Sequence, residues 1–421
     1  MLYVRGRPLD YDGWEAQGAP GWGYADVLPY FKKSEDNIRG ASEFHGVGGP
    51  LRVSEQRSPR PIDRIMLEAC AAAGIPRIAD YNGPEQDGAS MFQVTQPNGR
   101  RWSTADAFLR PVLRRPNLDV RVKAAVLGVE LQGDRAVGVR VRRGRAGVEV
   151  VRAEREVVLC AGAIRSPQLL LLSGIGPAHE LARAGVPARH ELSGVGRNLQ
   201  DHPFVTLLRE VSDKRTLFGA DKPKPLAEWL FRRTVPLSST VAEVVAFVRT
   251  RAGLPAADIQ LHMGAAYFDD HGAAEYDGHC ITIAPVLVVP QARGQVWLRS
   301  ADPSDKPRII TNTLAPPDDI ASLIAGMRLA RDIANRSPLR EMIVKEIKPG
   351  PGAVDDEDLA ADLRRCLMLI SHPVGTCRMS DTHDGAVVDS SYEYTASEAC
   401  ASPMRRSCRA SRAATPTRRR S

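Results

Sequence analysis

The sequence predicts a mixed α/β and α+β protein of two domains, and four observations carry this prediction. Its 421 residues are enough for two or more domains. Residues 157–176 have the pattern of a buried strand, a turn of small residues and a capped helix. Residues 118–152 alternate between apolar and polar positions, which is typical of antiparallel strands. Residues 205–337 contain further strand-like segments and then an apolar helical stripe.

The most informative stretch is the strand–turn–helix unit at 157–176. Its first three residues are apolar and β-branched or Leu, which predicts a strand buried on both faces. The small residues at 161–163 let a ligand approach the backbone closely. Ser166 is a good N-cap, and Pro167 then falls in the first helical turn. The unit therefore predicts a cofactor site at the carboxyl end of a strand, and the alternative is a plain buried βα unit.

The other elements follow from apolar periodicity. We predict helices at 62–73 and 355–365, and a β-meander over 118–152 with a turn at Gly133-Asp134. An apolar stripe at 320–333 predicts a core helix capped by Asp318 or Asp319. An antiparallel sheet is predicted from five strand-like segments: 244–249, 259–263, 281–289, 296–299 and 308–311.

Charge and cysteine content argue against several classes of protein. Residues 392–421 contain seven Arg and two Glu, and so hold most of the formal net charge of +7. A basic nucleic-acid-binding face on the fold is therefore not expected. The seven cysteines are scattered without a Cys-x-x-Cys pair, and His372, Cys377 and His383 fit no zinc spacing, so neither disulfides nor a metal is predicted. With no apolar run of membrane-spanning length and no signal pattern, we expect a cytoplasmic protein.

Two motifs carry a resemblance to a known family. Residues 162–176 read Gly-Ala-x-x-Ser-Pro-x-Leu-Leu-x-x-Ser-Gly-Ile-Gly, which resembles the second signature of the glucose–methanol–choline (GMC) family of flavin oxidoreductases. Residues 372–379, His-Pro-Val-Gly-Thr-Cys-Arg-Met, resemble the motif that holds the family's catalytic histidine. The resemblance extends over nearly all of the chain up to residue 391.

The resemblance implies a fold and a cofactor, FAD. Residues 1–204 and 338–391 are then a doubly wound FAD-binding domain with the β-meander, and residues 205–337 an antiparallel-sheet substrate domain. The family positions that border FAD correspond to Val126, whose backbone would meet the adenine ring, and to Ala161, Gly162 and Ser166. Without the resemblance, the sequence predicts only that Val126 is a core valine.

The implied activity is that of a choline dehydrogenase-like oxidoreductase acting on the CH–OH group of an alcohol. Alcohol oxidation removes a hydride, here to the flavin N5, and a proton, which the protein must accept. Histidine suits that task because its ordinary pKa lies near working pH, and His372 is the expected base. Besides the alcohol, we expect oxygen or a quinone-like carrier as electron acceptor.

Two departures from the family pattern lead to further expectations. The dinucleotide motif Gly-x-Gly-x-x-Gly is absent, and Gly194-x-Gly196 does not qualify because Leu199 takes the third glycine's place. Residues 392–421 lack the family's closing Gly-Asn-Thr-Asn segment, although codons read from their third base can encode it. We therefore expect an incomplete FAD domain and a non-native, frameshifted basic tail. The alternative function is an inactive remnant that binds no flavin.

Overall fold

The computed structural model describes residues 1–144, 147–234, 238–381 and 385–394, together with the backbone of 408–410. The α-helices in these ranges are α1 Pro8–Ala16, α2 Tyr24–Ser34, α3 Pro61–Ala72, α4 Gly162–Leu172, α5 Ala178–Arg183, α6 Pro223–Arg232, α7 Pro317–Ala334 and α8 Asp356–Cys366. None of them combines the length and apolar character that a membrane crossing needs.

The strands of the described ranges are mostly short. They are β1 Glu35–Asn37, β2 Leu51–Val53, β3 Gly88–Met91, β4 Ala124–Gln132, β5 Arg135–Arg143, β6 Val148–Arg152, β7 Val157–Leu159, β8 Ile175–Gly176, β9 His190–Glu191, β10 Arg197–Leu199, β11 Pro203–Phe204, β12 Leu207–Val211, β13 Val244–Val248, β14 Ile259–Gly264, β15 Cys280–Leu287, β16 Gly294–Trp297, β17 Arg308–Ile310, β18 Ile343–Lys348, β19 Met368–Leu369 and β20 Cys408–Ala410.

The largest sheet is antiparallel and has the order β18-β12-β15-β14-β13-β3, with β11 and β19 paired beside β15. Helix α7 covers one face and buries the apolar stripe that the sequence predicted, including Leu323, Met327 and Ile333. The stripe is confirmed, but Asp318 and Asp319 are not the cap. Pro316 precedes the helix, and Asp319 instead accepts hydrogen bonds from the backbone of Gln291 and Ala292.

The predicted strands meet in two sheets rather than one. The first three became β13, β14 and β15 of the large sheet. The last two became β16 and β17 of a separate antiparallel sheet, in which β16 pairs with both β17 and β10. The edges of the large sheet, β3 and β18, come from outside residues 205–337. The division into an FAD-binding and a substrate domain stays a prediction.

The β-meander is confirmed in topology, with β4, β5 and β6 antiparallel. Its first strand begins at Ala124 rather than at 118, because Lys123 takes a positive φ of 55° and interrupts the alternation. The turn falls at Gly133, whose φ of 56° is in the left-handed region that glycine adopts without strain. Helices α3 and α8 are also confirmed, and the side chain of Asp355 caps α8 through the N–H of Asp358 at 2.9 Å.

The strand–turn–helix unit is present, with two corrections. Helix α4 begins at Gly162, so Ser166 is not its N-cap and Pro167 lies in its interior. The hydroxyl of Ser166 instead accepts the N–H of Ala161 at 3.1 Å. Strand β7 is buried only at Val157 and Leu159, because Val158 between them lines a cavity and is 46% exposed.

Part of the predicted tail is folded where the structure describes it. Tyr394 is fully buried, and Tyr392 packs edge-on against Trp22 with ring centroids 4.9 Å apart. The backbone of β20 pairs in parallel with β7, although the sequence predicted no strand there. The rest of the predicted tail lies outside the described residues, and the frameshift stays a prediction.

Candidate active site

A large cavity, about 800 Å³, lies against the large sheet on the face opposite α7. Its wall is completed by the N-terminal segment, the entry to α1 and the loop that carries His372. Side chains alternate along a strand, so residues two apart in β14 and β15 reach the same cavity. They are Gln260, His262 and Gly264 from β14, and Thr282, Ala284 and Val286 from β15.

His372, the predicted base, lines this cavity and is solvent-exposed. Its backbone N–H donates to Asp201 Oδ1 at 2.8 Å, and the same oxygen accepts the N–H of His202 at 2.8 Å. One carboxylate thus holds both histidines by their backbones. Their rings meet edge to face with centroids 5.7 Å apart.

Three further histidines line the cavity, His202, His262 and His271, and the sequence analysis assigned none of them a role. Burial, with a smaller contribution from His372, lowers the pKa of His202 to about 4. Burial lowers the pKa of His262 to about 3, and its Nε2 has no hydrogen-bond partner within the described ranges. Both rings are therefore neutral at neutral pH. A period of two along 259–264 could have placed His262 on one face of a strand, but not identified that face as the cavity's.

The N-terminal wall of the cavity is backed by a buried polar network. Arg5 forms an ion pair with Glu35, and Tyr3 donates to the same carboxylate at 2.5 Å. His45 lies between Glu35, at 2.7 Å, and Asp80, at 2.6 Å. Hydrogen bonds to Asp80 and Glu35 raise the pKa of His45 to about 9, so it is charged at neutral pH. The network fixes Arg5 where it borders the cavity.

A second cavity, about 420 Å³, opens beside the end of β7. Two of the predicted cofactor residues, Val126 and Ala161, line it, and Val126 is 39% exposed. Gly162 follows with a φ of 75°, and a Cβ there would be strained although no described atom lies near it. Ser166 is buried and touches the site only through its bond to Ala161.

A hydrogen bond joins the two sequence motifs, one of which contributes to each cavity. Thr376, four residues after His372, donates its hydroxyl to the carbonyl of Ala163 at 2.5 Å. The predicted base and the predicted cofactor residues therefore lie on segments that touch, although His372 itself lines the other cavity.

The residues of the second cavity fit part of a dinucleotide cofactor. Its wall is largely apolar, with Val126, Val139, Val157 and Leu159 available to pack against a flat ring. The bare, positive-φ backbone of Gly162 leaves open space next to it. For a metal the fit is poor, because no group of three or more His, Cys, Asp or Glu side chains among the described residues is arranged to hold an ion. His383 lies outside those residues.

The fold mixes helices and sheets, with one cavity beside the end of a strand and a histidine-lined cavity on an antiparallel sheet, as expected from the resemblance to flavin oxidoreductases. Two family models described as GMC oxidoreductase match residues 1–204 and 290–395. The chain belongs to the GMC oxidoreductase family.

Relatives and solved structures agree with this assignment. An uncharacterised GMC-type oxidoreductase of Mycobacterium tuberculosis is 42% identical over 397 residues, which cover 92% of this chain and 74% of the relative. The oxygen-dependent choline dehydrogenase of Brucella anthropi is 39% identical over 396 residues, covering 92% and 71%. Pyridoxine 4-oxidase from Mesorbium loti superposes with a TM-score of 0.84 at 28% identity, over 97% of this chain and 76% of that one.

Aspergillus oryzae formate oxidase, in a structure that concerns FAD modification, gives a TM-score of 0.87 at 25% identity, over 97% of this chain and 76% of that one. The predicted family, fold class and cofactor are confirmed. The chain is an FAD-dependent oxidoreductase of the alcohol-oxidising type.

Proposed function

We propose that this protein oxidises the CH–OH group of a small alcohol bound in the large cavity, with His372 as the base. FAD, when bound, supplies the acceptor for the hydride. The observation that carries the proposal is the position of His372: its backbone is fixed by Asp201, while its exposed ring borders the cavity. An imidazole there can accept the hydroxyl proton as the hydride leaves carbon.

Several other residues support this role. Val126, Ala161 and Gly162 would hold the cofactor at the second cavity, and Ser166 would fix the backbone of Ala161 there. His202, kept neutral by burial, adds no second positive charge beside His372 when that ring takes up a proton.

The proposal also covers the electron acceptor and the cellular location. We propose oxygen or a quinone-like carrier as electron acceptor, since both accept electrons from reduced flavins. We place the activity in the cytoplasm, because seven scattered cysteines without a Cys-x-x-Cys pair are typical of a reducing compartment.

The test is His372→Ala, followed by rapid anaerobic mixing of the flavin-loaded protein with alcohol. Loss of a general base should slow flavin reduction by about 10²–10⁴-fold. Flavin content, read from the absorbance bands, should be unchanged because His372 does not line the second cavity. His179, 64% exposed and outside both cavities, is the matched control, and His179→Ala should leave the rate unchanged.

An unchanged reduction rate in His372→Ala at saturating alcohol would show that another group takes the proton. A purified wild-type chain that acquires no flavin absorbance when FAD is supplied would instead favour the inactive remnant. The two outcomes are separable, because the second is read before any alcohol is added.

A further inference from the structure

The charged side chains that line the large cavity already have partners of opposite charge. They are Arg5, Arg7 and Asp10. Arg5 pairs with the buried Glu35 behind the wall. Arg7 pairs with Asp10 at 3.2 Å, and its backbone N–H also donates to that carboxylate at 2.8 Å. In the described lining, therefore, each Arg and Asp side chain is already paired. A charged substrate would find none of them free to act as its counterion.

The sheet side of the cavity is polar at three positions, and all of them are neutral. The hydroxyl of Thr282 is engaged, since it donates to the carbonyl of Ala266 at 2.7 Å and accepts the N–H of Phe268 at 3.2 Å. His262 is neutral because burial lowers its pKa, and its Nε2 lacks a described partner. Gln260 brings an uncharged amide. Two neutral groups are thus left to contact a ligand.

Most of the rest of this part of the wall is apolar, although His271 also lines it, with its ring edge-on to Phe204. Phe204, Phe247, Phe268, Val286, Val288, Leu369 and Ile370 contribute hydrocarbon or aromatic surface. A cation placed here would lose its hydration without gaining a carboxylate, and aromatic faces compensate only part of that loss. An uncharged branched or aromatic group would bury apolar area at no such cost.

We propose that the preferred substrates are uncharged alcohols with a bulky apolar body, and that quaternary ammonium alcohols are poor substrates. This inference rests on the proposed function and adds the substrate class to it. It separates this chain from the choline dehydrogenase of Brucella anthropi, to which it is 39% identical. The amide of Gln260 and Nε2 of His262 are the groups positioned to contact a polar atom on that body.

The test uses two alcohols of the same shape. Choline and 3,3-dimethylbutan-1-ol differ in having a quaternary nitrogen or a quaternary carbon, so only the charge changes. With the flavin-loaded protein, kcat/KM should favour 3,3-dimethylbutan-1-ol by about 10²-fold or more, since burying an unpaired cation costs several powers of ten in binding. Equal values, or a preference for choline, would overturn the inference.

Variants at Gln260 test whether the missing carboxylate is the reason for the preference between the two alcohols. Gln260→Glu adds a carboxylate to the sheet face and should shift the preference toward choline by about tenfold or more. Gln260→Met, similar in size and neutral, should not. If Gln260→Glu fails to fold, the wild-type comparison still decides the question.

A binding measurement separates failure of this inference from failure of the proposed function. Thermal unfolding of the flavin-loaded protein with each alcohol reports binding without turnover. If neither alcohol reduces the flavin, the proposed oxidation fails. Stabilisation by 3,3-dimethylbutan-1-ol alone would then still support the neutral cavity, and stabilisation by choline, or by neither alcohol, would overturn it.

Discussion

The hydrogen bond between Thr376 and Ala163 predicts an energetic coupling that mutagenesis can measure. In a regular α-helix the carbonyl of residue 163 accepts the N–H of residue 167. Residue 167 is a proline, which has no N–H, and Thr376 supplies a hydroxyl to that carbonyl at 2.5 Å. Thr376 is 1% exposed, so water does not readily replace it.

Thr376→Val keeps the shape of the side chain and removes the donor. Removing this bond to the half-buried carbonyl of Ala163 should lower the free energy of unfolding by about 1 kcal/mol. Thr376→Ser keeps the hydroxyl and loses one methyl group, which is worth about 0.8 kcal/mol. The serine variant is therefore the matched control for packing.

The decisive assay is a double-mutant cycle with Pro167→Ala, monitored by denaturant unfolding. Alanine at 167 restores the N–H, so the carbonyl of Ala163 regains a donor within α4. Thr376→Val should then cost about 1 kcal/mol less in the Pro167→Ala background than in the wild type. The same cost in both backgrounds would show that Thr376 stabilises the fold by packing alone, and would refute the reasoning.

Two buried ionisable groups give predictions for pH. The raised pKa of His45, about 9 against 6.5, means that its stabilisation is complete below pH 6.5 and lost as pH rises through 9. The excess of the wild-type melting temperature over that of His45→Gln should therefore shrink from pH 6 to pH 9.5, and a constant difference would contradict this. Burial and the neighbouring Asp63 together outweigh Arg60 and raise the pKa of Glu243 from 4.5 to about 9. Wild-type stability should then fall between pH 4.5 and 9 relative to Glu243→Gln, and parallel pH profiles would disprove it.

The elements that the sequence predicted well are those that a local pattern determines. The stripe of α7 and the extent of α8 each follow from neighbouring residues. The predicted start of α4 was wrong, because Ser166-Pro167 is a strong local signal for a helix start. The helix nonetheless continues through Pro167, and the carbonyl that it leaves without an N–H is bonded by Thr376, more than two hundred residues away. No local pattern contains that partner.

In the candidate site, too, some residues could be predicted from a local motif and others could not. His372 was found through its motif, but His202 and His262 were not. Side chains alternate along β14, so His262 lies on one face of the strand and Leu261 and Met263 lie on the other. The sequence of the strand does not indicate which of these faces borders the cavity. That is decided by α7, which packs with Leu261 and Met263 in one core cluster and leaves His262 for the opposite side.

The loop from His372 to Thr376 is held to its neighbours mainly through backbone groups. The N–H of His372 bonds to Asp201, Val374 pairs with Gln200, and Thr376 bonds to the carbonyl of Ala163. Each bond involves at least one backbone group, and none of them involves Gln260. Cavity residues such as Gln260 can therefore change the preferred alcohol without moving the proposed base relative to α4. That separation makes the Gln260 variants informative about substrate choice alone.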